Sequence, residues 1–276
     1  MRLKFLTLLI LTGLLGLSVS GCEGKPSSIV NFANHYKNIP AAETTTDSQG
    51  NFSASQRIAF ESADKVQIIG SFFASSRPNS PAILLLHQFQ NDRHSFDDFA
   101  KRLQVKGFGI LAIDGRGFGE SVKTTDGRNV AVSRSDDAVK GMKNDVAAAF
   151  EFLAKQQNVD PARIGIIGAS YGSSLAIIYG AENRAVKSVV LLSPGINYFG
   201  NLPTEPAVKN YGNRSLLMVA ADDDSESADT VRQLKKTGAS DKCETQIYKS
   251  GGHGTGLFKA KVGLEDLLEQ FLMKSL

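Results

Sequence analysis

Cysteine and histidine are scarce in this chain, and no cationic block stands out. There are two cysteines and four histidines among 276 residues. No zinc-site spacing occurs, and neither a phosphate-binding loop nor a dinucleotide fingerprint is found. The chemistry is therefore expected to need no cofactor and no metal. The net charge is only +3, with lysines and arginines dispersed, which points away from nucleic acid as a partner. What is present is a globular composition, with 42% hydrophobic and 21% charged residues. A chain of this length can hold one large domain with a well-buried core.

Arg2 and Lys4 precede an apolar stretch from Phe5 to Leu17. That stretch is short for a bilayer span and right for a signal-peptide core. It ends in Leu17-Ser18-Val19-Ser20-Gly21-Cys22, which resembles the bacterial lipobox. The resemblance implies a leader over residues 1–21 and lipid on Cys22. It also implies a location in the bacterial cell envelope, at the outer membrane or the periplasmic face. Glu23 favours the outer membrane by the same resemblance. A plain secretory signal is the alternative. With Cys22 lipidated, Cys243 has no disulfide partner in the mature chain and reads as structural. Residues 22–55 are polar and read as a tether, and residues 56–276 as the folded domain.

Arg57 to Ser62 and Val66 to Ala74 predict two strands joined at Ala63-Asp64-Lys65, an antiparallel hairpin. Ala82 to His87 is a continuous apolar run, typical of a central parallel strand. Ser95-Phe96-Asp97-Asp98 has the form of a capping box with Asp in place of Glu. Phe96, Phe99, Ala100 and Leu103 then keep helical spacing as far as Gly107. A strand is expected over 109–113 and a long helix from Asp137 to about Gln157. Asp160-Pro161 reads as the turn into the next strand. Further strands are expected over 186–192, 216–221 and 244–248, and a helix over 228–236. Leu264, Leu267, Leu268, Phe271 and Leu272 mark the apolar face of a C-terminal helix. Residues 196–213, with Pro203 and Pro206, show little regularity and read as a small cap region. Strands that alternate with helices after a hairpin call for a mostly parallel sheet with helices on both faces. Ligands bind such sheets beyond the carboxyl ends of the strands.

Gly168-Ala169-Ser170-Tyr171-Gly172 follows one apolar run and opens another. Gly-x-Ser-x-Gly between strand and helix is the nucleophile-elbow pattern, although the five residues alone also fit an ordinary glycine-rich turn. A serine hydroxyl needs a base in contact to take its proton. His35 lies in the tether, His87 ends a buried strand, and His94 belongs to a surface loop. His253, in Gly251-Gly252-His253-Gly254 after the last strand, is the candidate base. Asp222, Asp223 and Asp224 follow the strand over 216–221 and supply a candidate acid.

From about Gln56 to its end the chain resembles an α/β-hydrolase. Leu84-Leu85-Leu86-His87, Asp114-Gly115-Arg116-Gly117-Phe118-Gly119-Glu120-Ser121, the elbow and Gly251-Gly252-His253-Gly254 carry the resemblance, in the family's order. The serine esterase and dienelactone-hydrolase-like branch is the most similar, although dienelactone hydrolases proper use cysteine where Ser170 stands. The resemblance implies a serine hydrolase that cleaves a carboxylic ester, a small-molecule ester or acyl substrate, through an acyl-enzyme, with Ser170 as nucleophile, His253 as base and Asp224 as acid. Asp223 is the runner-up for the acid. The oxyanion hole would use the amides of Tyr171 and Phe89. Gln88 stands where the family commonly has glycine, which leaves Gln88 or Phe89 open as the second donor and leaves open whether the Gln88 side chain enters the pocket. Ser173 also replaces a common glycine. Arg116 and Asp114 are expected to shape their loop. A peptidase or thioesterase on the same residues, or a lipid-anchored binding protein without turnover, are the competing readings.

Overall fold

The structure is a computed structural model that describes residues 55–276. The leader, Cys22, His35 and residues 22–54 of the tether lie outside the described residues. The first two strands, β1 (Gln56–Glu61) and β2 (Gln67–Phe73), pair antiparallel as the expected hairpin. Then come β3 (Ser80–Leu86), a 3-10 turn (Arg93–Phe96), α1 (Asp97–Val105) and β4 (Gly109–Ile113). The long helix α2 (Asp136–Ala154) leads to β5 (Val159–Ala169), α3 (Tyr171–Glu182) and β6 (Val186–Leu192). A two-residue hairpin, β7 (Asn197–Tyr198) with β8 (Leu202–Pro203), precedes α4 (Thr204–Tyr211). The chain ends with β9 (Ser215–Ala221), α5 (Ser225–Thr237), β10 (Cys243–Tyr248), the short α6 (Gly256–Lys259) and α7 (Leu264–Ser275).

Among the described residues the main sheet has eight strands in the order β1-β2-β4-β3-β5-β6-β9-β10. The hairpin joins β4 antiparallel, and every pairing from β4 to β10 is parallel. Along β3, Leu84 and Leu86 enter one core while Ile83 and Leu85 enter the other. Both faces are covered, so the strand reads as one apolar run rather than an alternation. Residues of α2, α3, α4 and α5 fill the first core, and those of α1, α6 and α7 the second. Each fully buried leucine contributes about 2 kcal/mol by transfer from water. The chain leaves β3 toward β4 and then crosses back to β5 on the other side. The crevice beyond the ends of β3 and β5 is therefore the topological switch point where such sheets bind ligands.

Four local expectations are corrected. The Ser95 hydroxyl donates to the Asp92 carbonyl and does not cap α1. Asp92 instead caps the 3-10 turn by accepting from the His94 amide. Asp160-Pro161 is not a turn before β5 but part of it, where the pairing with β3 is broken between Val159 and Ile164. Proline is tolerated where the ladder is interrupted. The region 196–213 holds the small hairpin and α4, with Pro206 in the first helical turn, where no intrahelical N–H is needed. Finally, α5 begins at Ser225, a turn earlier than expected.

Candidate active site

Ser170 stands between β5 and α3 with φ 53° and ψ −125°, a left-handed conformation that a β-carbon resists. The surrounding bonds hold it there. Its N–H donates to the Leu192 carbonyl at 2.8 Å, and its carbonyl accepts from the Ser173 N–H at 2.8 Å. The Ser173 hydroxyl donates to the same carbonyl at 2.5 Å, so the serine found in place of glycine is a second tie on the elbow. A β-carbon on Gly172 would lie 2.6 Å from the His87 carbonyl oxygen, and one on Gly168 would run into the Gly172 carbonyl. Glycine at these two positions lets α3 start hard against β3.

The Ser170 hydroxyl meets His253 Nε2 at 2.8 Å, and His253 Nδ1 meets Asp224 Oδ2 at 2.7 Å. The carboxylate is an acceptor, so Nδ1 carries the proton and Nε2 is free to accept from the serine. The three adjacent carboxylates do three different things. Asp222 pairs with Arg232 on the surface at 2.6 Å. Asp223 Oδ1 accepts the Gly251 and Gly252 amides, each at 3.0 Å, and these two bonds hold its carboxyl below the usual carboxylate range. Asp224 alone reaches the imidazole.

His87 closes β3 and is buried. Its Nδ1 donates to the Gln88 carbonyl at 2.8 Å and its Nε2 accepts from the Gly115 amide at 3.0 Å. Burial lowers its affinity for a proton, so it stays neutral and fixes the turn. The Asn91 amide also bonds the Gln88 carbonyl, at 3.1 Å. The amides of Gln88, Phe89 and Tyr171 have no acceptor among the turn, loop and cap bonds of the described residues. The Gln88 side chain runs to the His253 loop. Its Oε1 accepts the Thr255 amide at 2.7 Å and the Thr255 hydroxyl at 3.0 Å.

Aromatic rings cluster beside the elbow. Phe89 packs edge-on to Phe118, Tyr171 and Phe199 at centroid distances of 5.2, 5.9 and 5.2 Å. The exposed guanidinium of Arg134 lies 4.4 Å over Phe89 and 5.0 Å over Phe199. The Tyr198 hydroxyl donates to the Ser193 carbonyl at 2.9 Å. Burial pushes that phenol up to about 12, although the neighbouring Ser170 side chain works the other way. Asp114 accepts the Arg93 and Glu120 amides and pairs with the Arg93 guanidinium. Arg116 is clasped by Asp145 at 2.7 Å and Asp64 at 2.5 Å. Both loop residues therefore shape the loop 114–121. His94 is exposed and bonds Asp97 at 2.9 Å. Cys243 is buried, which pushes its thiol up to about 11. Among the described residues no group of three or more His, Cys, Asp or Glu side chains is arranged to hold a metal ion.

The sequence did not single out Ser193, Tyr198, Arg134 or Asp145. Two signals were available. Ser193 closes β6 at the carboxyl end, as the other site residues close theirs. Asp145 is a lone acid on the apolar face of α2, between Met142 and Val146.

Residues 77–210 match the family model described as serine aminopeptidase, S33. An uncharacterized protein of Mycobacterium tuberculosis is 29% identical over 157 residues, 56% of this chain and 51% of that protein. The chain thus spans about half the length of that curated relative. Acetyl xylan esterase 1 from a Thermoanaerobacterium species has TM-score 0.67 at 18% identity, covering 83% of this chain and 86% of the esterase. A dienelactone hydrolase from Anabaena variabilis has TM-score 0.61 at 16% identity, covering 81% of this chain and all of the hydrolase. The sheet order, the elbow after β5 and these structural likenesses together give one conclusion: the chain has the α/β-hydrolase fold.

Proposed function

We propose that the protein is a serine hydrolase that cleaves small carboxylic esters through an acyl-enzyme. The observation that carries the reading is the continuous hydrogen-bonded run Asp224–His253–Ser170 on a strained elbow. His253 Nε2 takes the Ser170 proton as Oγ attacks the ester carbonyl. The tetrahedral oxyanion is held by the Tyr171 and Phe89 amides, which preorganised backbone donors do at little reorganisation cost. Asp224 stabilises the imidazolium and keeps its orientation without becoming protonated. The imidazolium then gives its proton to the departing alkoxide, leaving the acyl group on Oγ. Water, deprotonated by the same imidazole, releases the carboxylic acid and restores the serine. The half-buried rings of Phe89 and Phe199, backed by the buried Phe118 and Tyr171, would give an acyl chain apolar contact.

The reading includes the anchor: Cys22 carries lipid and holds the domain at the bacterial envelope membrane. Among the described residues no helix is long and apolar enough to cross a membrane. A panel of p-nitrophenyl esters of rising acyl length, with thioester and aminoacyl-anilide counterparts, tests the substrate class. Short acyl esters are expected to be turned over fastest. Faster cleavage of the anilides would replace the esterase reading with a peptidase.

A further inference from the structure

We propose that Gln88 is a positioning residue for the base. It ties the His253 loop to the oxyanion turn, so that imidazole and oxyanion donors are set by one joint. The inference rests on the hydrolase reading above and deepens it. The loop carrying His253 contains Gly251, Gly252 and Gly254, with φ of 68° at Gly252 and 60° at Gly254. Such a segment loses much backbone freedom when it is ordered, and its own backbone ties begin only with the Gly256 amide, which donates to the His253 carbonyl at 3.0 Å. The amides before that point are held by side chains at three strand ends. Asp223, after β9, accepts the Gly251 and Gly252 amides. Ser193, after β6, accepts the Gly254 amide at 2.8 Å. Gln88, after β3, accepts the Thr255 amide and hydroxyl at 2.7 and 3.0 Å. The amides before and after His253 are thus all held from outside the loop.

Of the three residues that hold the loop's amides, Gln88 alone belongs to the oxyanion turn; from the same turn Asn91 Nδ2 adds a longer bond to the Thr255 hydroxyl, at 3.4 Å. Its carbonyl takes the His87 ring N–H and the Asn91 amide, and the next residue is Phe89, a candidate oxyanion donor. One residue therefore shapes the oxyanion turn with its main chain and holds the base loop with its side chain. The fit is mutual, because a β-carbon on Gly254 would run into the Gln88 side-chain oxygen. Glycine, the residue more common in the resembled family at the place of Gln88, has no side chain to make this tie. Misplacing a reacting group by about 1 Å costs on the order of 100-fold in rate, so a lost tie is read in kcat.

The test compares Gln88→Leu, which keeps the bulk and loses the acceptor, with Gln88→Glu, which keeps an acceptor oxygen. Ester kinetics, fluorophosphonate labelling, thermal unfolding and hydrogen exchange over 251–257 are measured on the full chain. Gln88→Leu is expected to lower kcat about 10- to 100-fold with KM within about twofold, and to slow labelling equally. Exchange should speed up in that loop alone, and Gln88→Glu should recover most of both effects. A Gln88→Leu protein with wild-type kcat and wild-type exchange overturns the proposal. So does a rise in KM at constant kcat, which marks a substrate contact, or a Gln88→Glu protein as impaired as Gln88→Leu. A lower unfolding temperature with unchanged kcat marks a purely structural role and also overturns it. A wild type that neither hydrolyses esters nor takes the probe defeats the hydrolase reading, while exchange over 251–257 still decides the tie.

Discussion

Asp222, Asp223 and Asp224 differ in what they touch, and amidating each in turn should separate their roles. In Asp224→Asn the partner of His253 Nδ1, now 2.7 Å away, loses its charge. The imidazolium formed during attack is then unopposed, and the ring is no longer held in the tautomer that leaves Nε2 free. A loss of about 10⁴ in kcat is expected, about 5.4 kcal/mol of barrier. Asp223→Asn keeps the oxygen that accepts both the Gly251 and Gly252 amides. It should cost about tenfold or less in kcat, because the loop is loosened rather than lost. Asp222→Asn gives up only a surface pair with Arg232 and should stay within about twofold. The Asp223 carboxyl is depressed in the folded chain by the Gly251 and Gly252 amides. Its stabilising contribution is therefore present above the ordinary carboxylate range and lost as pH falls through the lowered value. The stability gap between wild type and Asp223→Asn should be widest near neutrality and close below about pH 4. Ester kinetics and denaturant unfolding across pH read all of this. An Asp223→Asn protein as inactive as Asp224→Asn would refute the division of labour.

Ser170→Gly should raise stability by about 1 kcal/mol while abolishing turnover, because glycine removes the cost of a β-carbon at φ 53°. Gly172→Ala should do the opposite and cost about 3 kcal/mol, since its new carbon would sit 2.6 Å from a backbone oxygen that cannot move aside cheaply. Denaturant unfolding checks both. Cys22→Ala should take up no fatty acid in metabolic labelling while the wild type does, and equal label on the two would remove the anchor.

The doubly covered strands were the most legible part of the sequence. Leu84 to Leu86 and Ile164 to Ile167 are apolar on both faces because both faces are packed. The expectation of a mostly parallel sheet with an N-terminal hairpin follows from them, and the topology agrees. Proline misled at two places for one physical reason. It removes an N–H only where that N–H is used, and neither Pro161 in the interrupted ladder of β5 nor Pro206 in the first turn of α4 has one to lose. The capping box misled because the Ser95 hydroxyl had a nearer acceptor in the Asp92 carbonyl. In the site, the type and order of Ser170, His253 and the aspartates could be read from motifs at strand ends. The work of Asp223, Ser193 and the Gln88 side chain could not. Each holds an amide of a glycine loop, and which amide comes within reach depends on how three strand ends converge.

The central claim is that Ser170 and His253 act as one catalytic unit. Ser170→Ala, His253→Ala and the double variant should be assayed side by side, with an activated short-chain ester and a fluorophosphonate probe. Each single change is expected to remove nearly all hydrolysis and labelling, and the double variant should be little worse than either, because members of one catalytic device are not additive. Full ester turnover by Ser170→Ala, or losses that multiply in the double variant, would contradict the account.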